Sequence, residues 1–267
     1  MIKLEEKKYE LLTDEENTIE FKGRTLHKIR ALRNFEDVEI GEIGGYVESE
    51  WNLSQEGNCW IYDDAKSMDS ARLCDNAKMY DRSCMYDNSR MYNNSKMYDN
   101  SRMYNNSRMY NNSQMFDNSR MFDDSIMCGN STMFDDSIMF DNSRMCGNST
   151  MCGNSTMFDN SSLHGNAKIS DNTILKNNDK LYGVINKPFK KIFQHQCERR
   201  LLTAILTEEN EILYSIGCQI GITKEEFIDR IYNDCEIEGE GLKESPHRQE
   251  YLDMIDIIEN YFEKFKN

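Results

Sequence analysis

Met97-Tyr98-Asp99-Asn100-Ser101-Arg102 is followed at once by Met103-Tyr104-Asn105-Asn106-Ser107-Arg108, and this six-residue spacing decides the fold. Methionine stands at every sixth position from Met79 to Met157, fourteen times without a miss. In weaker form the spacing extends outward to about Gln55 and Lys180, a stretch of 126 residues or 21 hexads. It reaches back through Ile61-Tyr62-Asp63-Asp64-Ala65-Lys66 and forward through Ile169-Ser170-Asp171-Asn172-Thr173-Ile174.

Read across a hexad boundary, the order is small, polar, Met or Ile, then aromatic or Cys. The period-two alternation of a strand sends the small residue and the Met to one face, and the polar and aromatic residues to the other. The remaining pair, Asp-Asn, Asn-Asn or Gly-Asn, tolerates left-handed backbone angles and makes a corner. A helix is excluded, because a period of six wanders around its surface. The small-x-aliphatic-x-(Gly/Asp)-Asn pattern resembles the hexapeptide repeat of left-handed parallel β-helices, in which three hexads make one triangular coil. That resemblance implies the left hand, 18 residues per coil and seven coils. At about 4.8 Å per coil the stack is roughly 30 to 35 Å long. Stacking by 18 then aligns Asn58, Asn76, Asn94, Asn112, Asn130, Asn148 and Asn166 at one corner.

The open ends of a solenoid need covers. Residues 1–54 read as a β-rich cap: Thr18–Phe21 and Thr25–Ile29 are strands around Lys22-Gly23-Arg24, and Gly44-Gly45 marks a turn into the first coil. Residues 55–180 are the solenoid. Residues 181–267 form a small α+β unit, with a hairpin from Leu201–Leu206 and Ile212–Ile216. A capping box, Thr223-Lys224-Glu225-Glu226, opens one helix. Pro246 begins another, whose apolar stripe combines Tyr251, Met254, Ile255, Ile257, Ile258, Tyr261 and Phe262.

The flanks sharpen the resemblance. Gly23 to Leu32, Gly41-Glu42-Ile43-Gly44-Gly45-Tyr46-Val47-Glu48 and Asn52 to Trp60 look like the N-terminal run of the YdcK-like β-solenoid proteins of bacteria and phages. Gly217-Cys218, Gly221 to Phe227 and Glu250-Tyr251 are similar to that family's C-terminal unit, so the match covers roughly residues 18 to 262. The departure is in the repeats, where Met with Tyr-Asp-Asn-Ser replaces Val or Ile with Tyr-Gly-Asn-Ala. The resemblance implies the fold and carries no activity with it.

The chain has 47 acidic and 32 basic residues, a net charge of -15. Such a balance disfavours general affinity for nucleic acid or anionic membrane. No apolar run is long enough to span a bilayer, and the first residues lack a secretory pattern. Nine cysteines, spaced with the repeat, read as reduced thiols of a bacterial cytoplasm.

Hexapeptide solenoids are often acyltransferases, and that resemblance implies a catalytic His at a coil edge, an extruded loop and cofactor clefts in a trimer. Of His27, His164, His195 and His247, only His164 lies in the coils, and no loop interrupts the hexads. No cofactor is expected. Cys128, Cys146 and His164 share one outward column and form a candidate soft-metal set, against the simpler reading that Cys replaces Tyr at that position. The methionines face inward as adaptable filler.

Tyr86, Tyr104, Phe122, Phe140 and Phe158 form an outward ladder flanked by Arg102, Arg120 and Ile138. A second ladder holds Tyr62, Tyr80, Tyr98, Phe116 and Phe134. Exposed aligned rings beside arginine suit a protein interface, so the first set is the candidate partner surface, for self-association as dimer or trimer, cap docking, or a distinct protein. Arg90, Arg108, Lys78 and Lys96 lie beside Tyr92, Tyr110, Tyr80 and Tyr98, but the hexads hold 17 acidic against 13 basic residues, so direct nucleic-acid binding is not expected. The functional expectation is a non-enzymatic binding or scaffold protein. A specific form is a phage- or mobile-element-encoded inhibitor docking on a host nucleic-acid-processing complex. The alternatives are an acyltransferase-like enzyme and a purely architectural homo-oligomer.

Overall fold

The computed structural model describes residues 7–170, 173–176, 179–184, 189–196, 201–207, 209–216, 219–233 and 246–266. Its centre is a three-sided parallel β-solenoid of about seven turns. Each hexad supplies a two-residue strand that pairs with the strands 18 residues before and after it. Arg102 thus faces Cys84 and Arg120, and Met103 faces Met85 and Met121. Side one climbs from Lys66–Ser67 to Ile174–Leu175, side two from Arg72–Leu73 to Lys180–Val184, and side three from Trp60–Ile61 to Ser162–Ile169. The eight-residue strand Ser162–Ile169 serves both side two and side three.

The corners follow from residue type. The first corner residue is left-handed on coil after coil, with φ from 52° at Asp63 to 60° at Asp75, and glycine takes the place at Gly129, Gly147, Gly153 and Gly165. Asp and Asn are the non-glycine residues that accept this backbone most readily. Their side chains also work along the stack. Asp81 accepts the Asp99 N–H at 3.1 Å, and Asp99 accepts the Asp117 N–H at 3.3 Å.

The interior is a thioether column. All fourteen methionines of the strict repeat have no solvent exposure, and the preceding serines from Ser83 to Ser161 are equally buried. An unbranched side chain can adjust to the space left by the two others on its coil. Ser89 and Ser107 donate to the carbonyls of Tyr86 and Tyr104 at 2.9 Å. Most other core hydroxyls, including that of Ser131, have no hydrogen-bond partner among the described residues.

The N-terminal cap is antiparallel. Strand β1 (Tyr9–Leu12) and β2 (Thr18–Phe21) both pair with β3 (Arg24–Ala31), which pairs with β4 (Ile43–Val47). Lys22 and Gly23 both have positive φ, which makes the tight β2–β3 turn. Gly44 and Gly45 are not a turn: they lie inside β4. A Cβ on Gly44 would stand 2.5 Å from the Ile61 carbonyl oxygen, and one on Gly45 would stand 2.5 Å from that of Ala65. Glycine is there for close packing, a demand that sequence punctuation cannot distinguish from a turn. Coil pairing also starts earlier than Gln55, because β4 joins side one through Tyr46–Lys66 and Val47–Ser67. That first coil advances by 20 residues rather than 18. Its longer corner holds the buried Lys8, whose ammonium donates to the Cys59 carbonyl at 3.0 Å and the Glu56 carbonyl at 3.3 Å. Burial pushes the Lys8 pKa down.

Beyond the coils, the expected hairpin is the middle of a four-stranded antiparallel sheet, ordered Phe189–Gln196, Leu201–Thr207, Ile212–Ile216, Gln219–Ile222. Helices α1 (Lys224–Asn233) and α2 (Pro246–Glu263) cover one face. The capping box is present, with Thr223 N–H donating to Glu226 at 2.9 Å and Glu226 N–H donating to the Thr223 hydroxyl at 3.2 Å. Alternation along Leu201–Thr207 gives the sheet two apolar faces. Leu202, Ala204 and Leu206 pack with Met254, Ile255, Ile258 and Phe262, while Ile205 joins the solenoid core. The unit therefore closes the far end of the stack. Ile257 differs from expectation: it is exposed on the flank of α2.

Candidate functional site

The predicted ladder on side one is present, and its rings touch face to face. Tyr86–Tyr104, Tyr104–Phe122, Phe122–Phe140 and Phe140–Phe158 have centroids 4.9, 4.8, 5.1 and 5.0 Å apart with planes within 5°. The one-coil rise sets this spacing. Because each ring covers its neighbour, the five are half-buried and present edges rather than faces to solvent. The apolar stripe is narrower than five exposed rings would make. Burial pushes the Tyr86 and Tyr104 hydroxyls up in pKa. The same stacking runs through Tyr62, Tyr80, Tyr98, Phe116 and Phe134, so no ring face inside either ladder is open to a base.

The two ends of the first ladder differ. The Lys22 ammonium lies 3.6 Å above the Tyr86 ring, and Ile19, Phe21 and Tyr86 pack against one buried cluster of Leu26, Tyr46, Met68 and Cys84. The β2–β3 hairpin thus occupies the first rung, which is the cap docking allowed for by the sequence. Further along, Arg102 and Arg120 are exposed and form no ion pair with a described residue, and Ile138 is half-buried between Arg120 and Thr156. This part of side one can present guanidinium groups and ring edges to a partner.

The column Cys128, Cys146, His164 also exists, but its chemistry differs from the expectation. Cys128 and Cys146 are joined as a disulfide across one coil step, with Cα atoms 4.7 Å apart. Two thiolates are therefore not offered to a metal, and among the described residues no group of three His, Cys, Asp or Glu is arranged to hold one. The reading of reduced thiols is corrected for this pair. The 18-residue spacing of the two cysteines was the available signal, since stacking places such residues on adjacent rungs. Cys59, Cys74 and Cys84 are free, the Cys152 thiol donates to the Ile169 carbonyl at 3.6 Å, and Cys197, Cys218 and Cys235 lie outside the described residues. Burial, with Lys180 and Arg144 nearby, pushes the His164 pKa down, which favours neutral imidazole.

The amide ladder is bonded from Asn76 to Asn166, each Nδ2 donating to the next Oδ1 at 2.8 to 3.1 Å. Asn58, in the longer first corner, bonds instead through its backbone N–H to the Asp75 carbonyl at 2.7 Å. Sequence reasoning missed the pairing of Lys78 with Asp37 at 2.6 Å and Glu36 at 3.1 Å. Partial burial raises the Asp37 pKa, but hydrogen bonds from Lys78 and Tyr62 outweigh it and hold the carboxyl below its ordinary range. These contacts tie the loop between β3 and β4 to side three, so Lys78 does not belong to a free basic surface.

No family model matches the chain. A curated protein named uncharacterized acetyltransferase YdcK, from Escherichia coli (strain K12), is 50% identical over 42 residues. The match spans 16% of this chain and 13% of that protein's length. No helix among the described residues is long and apolar enough to cross a membrane.

Proposed function

We propose that the chain is a protein-binding module that docks a macromolecular partner on the coil surface, chiefly along Tyr104 to Phe158 with Arg102 and Arg120. The observation that carries this reading is the uninterrupted 18-residue step on side one, which leaves a loop-free ladder bordered by exposed guanidinium groups. Arginine beside aromatic side chains is the combination that dominates interface energetics. In its narrower form the chain is a phage- or mobile-element-encoded inhibitor that acts in a bacterial cytoplasm on a host nucleic-acid-processing complex. The support for that form is the acidic balance of 47 to 32.

The test uses the whole chain as bait in host lysate, compared with a variant carrying Arg102→Glu and Arg120→Glu. A stoichiometric protein recovered by the wild type and lost with the variant supports the reading. Equal recovery by both overturns the assignment to side one. Acyl transfer is the second reading, favoured by the similarity to a protein named as an acetyltransferase. Saturable acetyl-CoA binding by calorimetry, weakened tenfold or more in His164→Ala, would move the assignment there.

A further inference from the structure

The net charge of the coils conceals a division by side. Between Ser89 and Ser170, past the first coils and Asp75, side two, the asparagine corner and side three comprise residues 89–98, 107–116, 125–134, 143–152 and 161–170. This strip holds Arg90, Lys96, Arg108, Arg144 and Lys168 and no acidic residue. None of these five forms an ion pair with a described residue. The intervening residues 81–88, 99–106, 117–124, 135–142 and 153–160 build side one and its two corners. They hold ten acidic residues against Arg82, Arg102 and Arg120. In a triangular cross-section the asparagine corner lies opposite side one, so the basic strip and the acidic strip face away from each other.

From this geometry we infer that the partner of the coil surface includes a second copy of this chain, the basic strip of one lying along the acidic strip of the next. The inference rests on the reading of that surface as a docking surface and names one occupant for it. Two observations favour a second copy. The strips are opposite in sign, and the charges of both sit on rungs set by the one-coil rise of about 4.8 Å, although residues 125–134 of the basic strip carry none. Arg90 and Arg108 are direct rung neighbours, as are the coils that carry Asp117 and Asp135, whose backbone and carboxylate bond to each other. Charges on two such stacks share the same axial spacing, whereas an extended polypeptide places same-side residues about 6.6 Å apart. The two contacting strips are different surfaces, so the association is head-to-tail and gives a ring or a filament according to its rotation. Exposed ion pairs are screened within about 8 Å at physiological ionic strength, so the assembly is salt-sensitive.

The experiment is sedimentation of the full chain at about 50 mM and 500 mM salt, with two charge-reversed variants. One carries Arg108→Glu and Arg144→Glu, and the other Asp124→Lys and Asp136→Lys. All four positions are exposed and outside the hydrogen-bonded corner ladders, which leaves the fold intact. The wild type is expected to be oligomeric at low salt and to dissociate at high salt. Each variant alone should be monomeric, and an equimolar mixture of the two should regain mass, because the reversed strips complement each other. A wild type that is monomeric at both salts, a variant that keeps the wild-type mass, or a mixture that stays monomeric overturns the inference. A monomeric wild type that binds a fluorescent single-stranded oligonucleotide through Arg108 and Arg144 also overturns it, in favour of a polyanion. Any of these results leaves the lysate comparison of Arg102 and Arg120 standing, so the two readings fail separately.

Discussion

The coils and the C-terminal unit bury their cores by opposite means. Along the stack, one residue type does nearly everything: a methionine points at the axis every six residues, and its neighbours are its own copies one coil away. In the C-terminal unit, Leu202, Tyr214, Phe227, Ile258 and Phe262 meet from four separate elements. The first arrangement is a chain of nearest-neighbour contacts, and the second closes only when distant segments have met. Stability in the coils is accordingly local, whereas the C-terminal unit stands or falls together.

The most forceful way to break this comparison is to place a carboxylate in each core. Met115→Asp puts an unpaired charge on the axis and should cost more than about 4 kcal/mol. Amide hydrogen exchange is expected to show lost protection in the coils adjoining residue 115 while the C-terminal sheet stays protected. Ile258→Asp should do the reverse, melting the sheet and both helices and sparing the central coils. A single loss of protection from residue 61 to residue 263 in either variant would show one cooperative unit and end the distinction.

A smaller effect is expected from the covalent tie. Cys128–Cys146 links adjacent coils over a separation of 18 residues. By chain entropy such a bond contributes about 3 kcal/mol. Cys128→Ser should lower the urea midpoint of the wild type under oxidising conditions and leave it unchanged after reduction. Because the bond lies within the coils, the C-terminal unit should unfold at the same urea concentration in both.

Acid should act first on the N-terminal cap. Asp37 has its folded pKa held below the ordinary value, so its contribution is present above the unfolded pKa and disappears as pH falls through the folded one. Cap exchange should rise below about pH 4, and Asp37→Asn should flatten that dependence. Unchanged pH dependence in the variant would assign acid sensitivity to another carboxylate.

How much of this was readable follows from the same contrast. A period of six, with Asp or Asn at the corner, specifies side-chain direction at every coil, so Met97, Ser101 and Tyr98 could be placed inside or outside from sequence. The capping box at Thr223 was legible because its chemistry is local. Non-local features were not: Gly44 and Gly45 looked like a turn because the backbone that crowds them comes from Ile61 and Ala65. The strands Phe189–Gln196 and Gln219–Ile222 lack a clean alternation and exist through pairing with the hairpin. At the candidate site the ladder and the stacking of Tyr86 on Tyr104 follow from the period, but the narrowing of the apolar stripe to ring edges was not legible, since a period fixes direction without fixing ring orientation. The segregation of charge into two strips was present in the sequence all along, and a sum over all the hexads averaged it away.

The smallest change probes the repeat itself. Ser131 is fully buried, and its hydroxyl has no partner among the described residues. A buried hydroxyl without a hydrogen bond costs about 1–3 kcal/mol, unless it turns to the carbonyl three residues back, as Ser89 and Ser107 do. Ser131→Ala removes the polar atom and leaves a volume the methionines can fill. It should therefore stabilise the coils by up to about 1 kcal/mol, while Ser107→Ala, which breaks a 2.9 Å bond, should destabilise them by about the same amount. Urea unfolding of the two variants decides between these signs. Equal effects would mean that every core serine uses the same carbonyl, and that the hydroxyls are one more ladder.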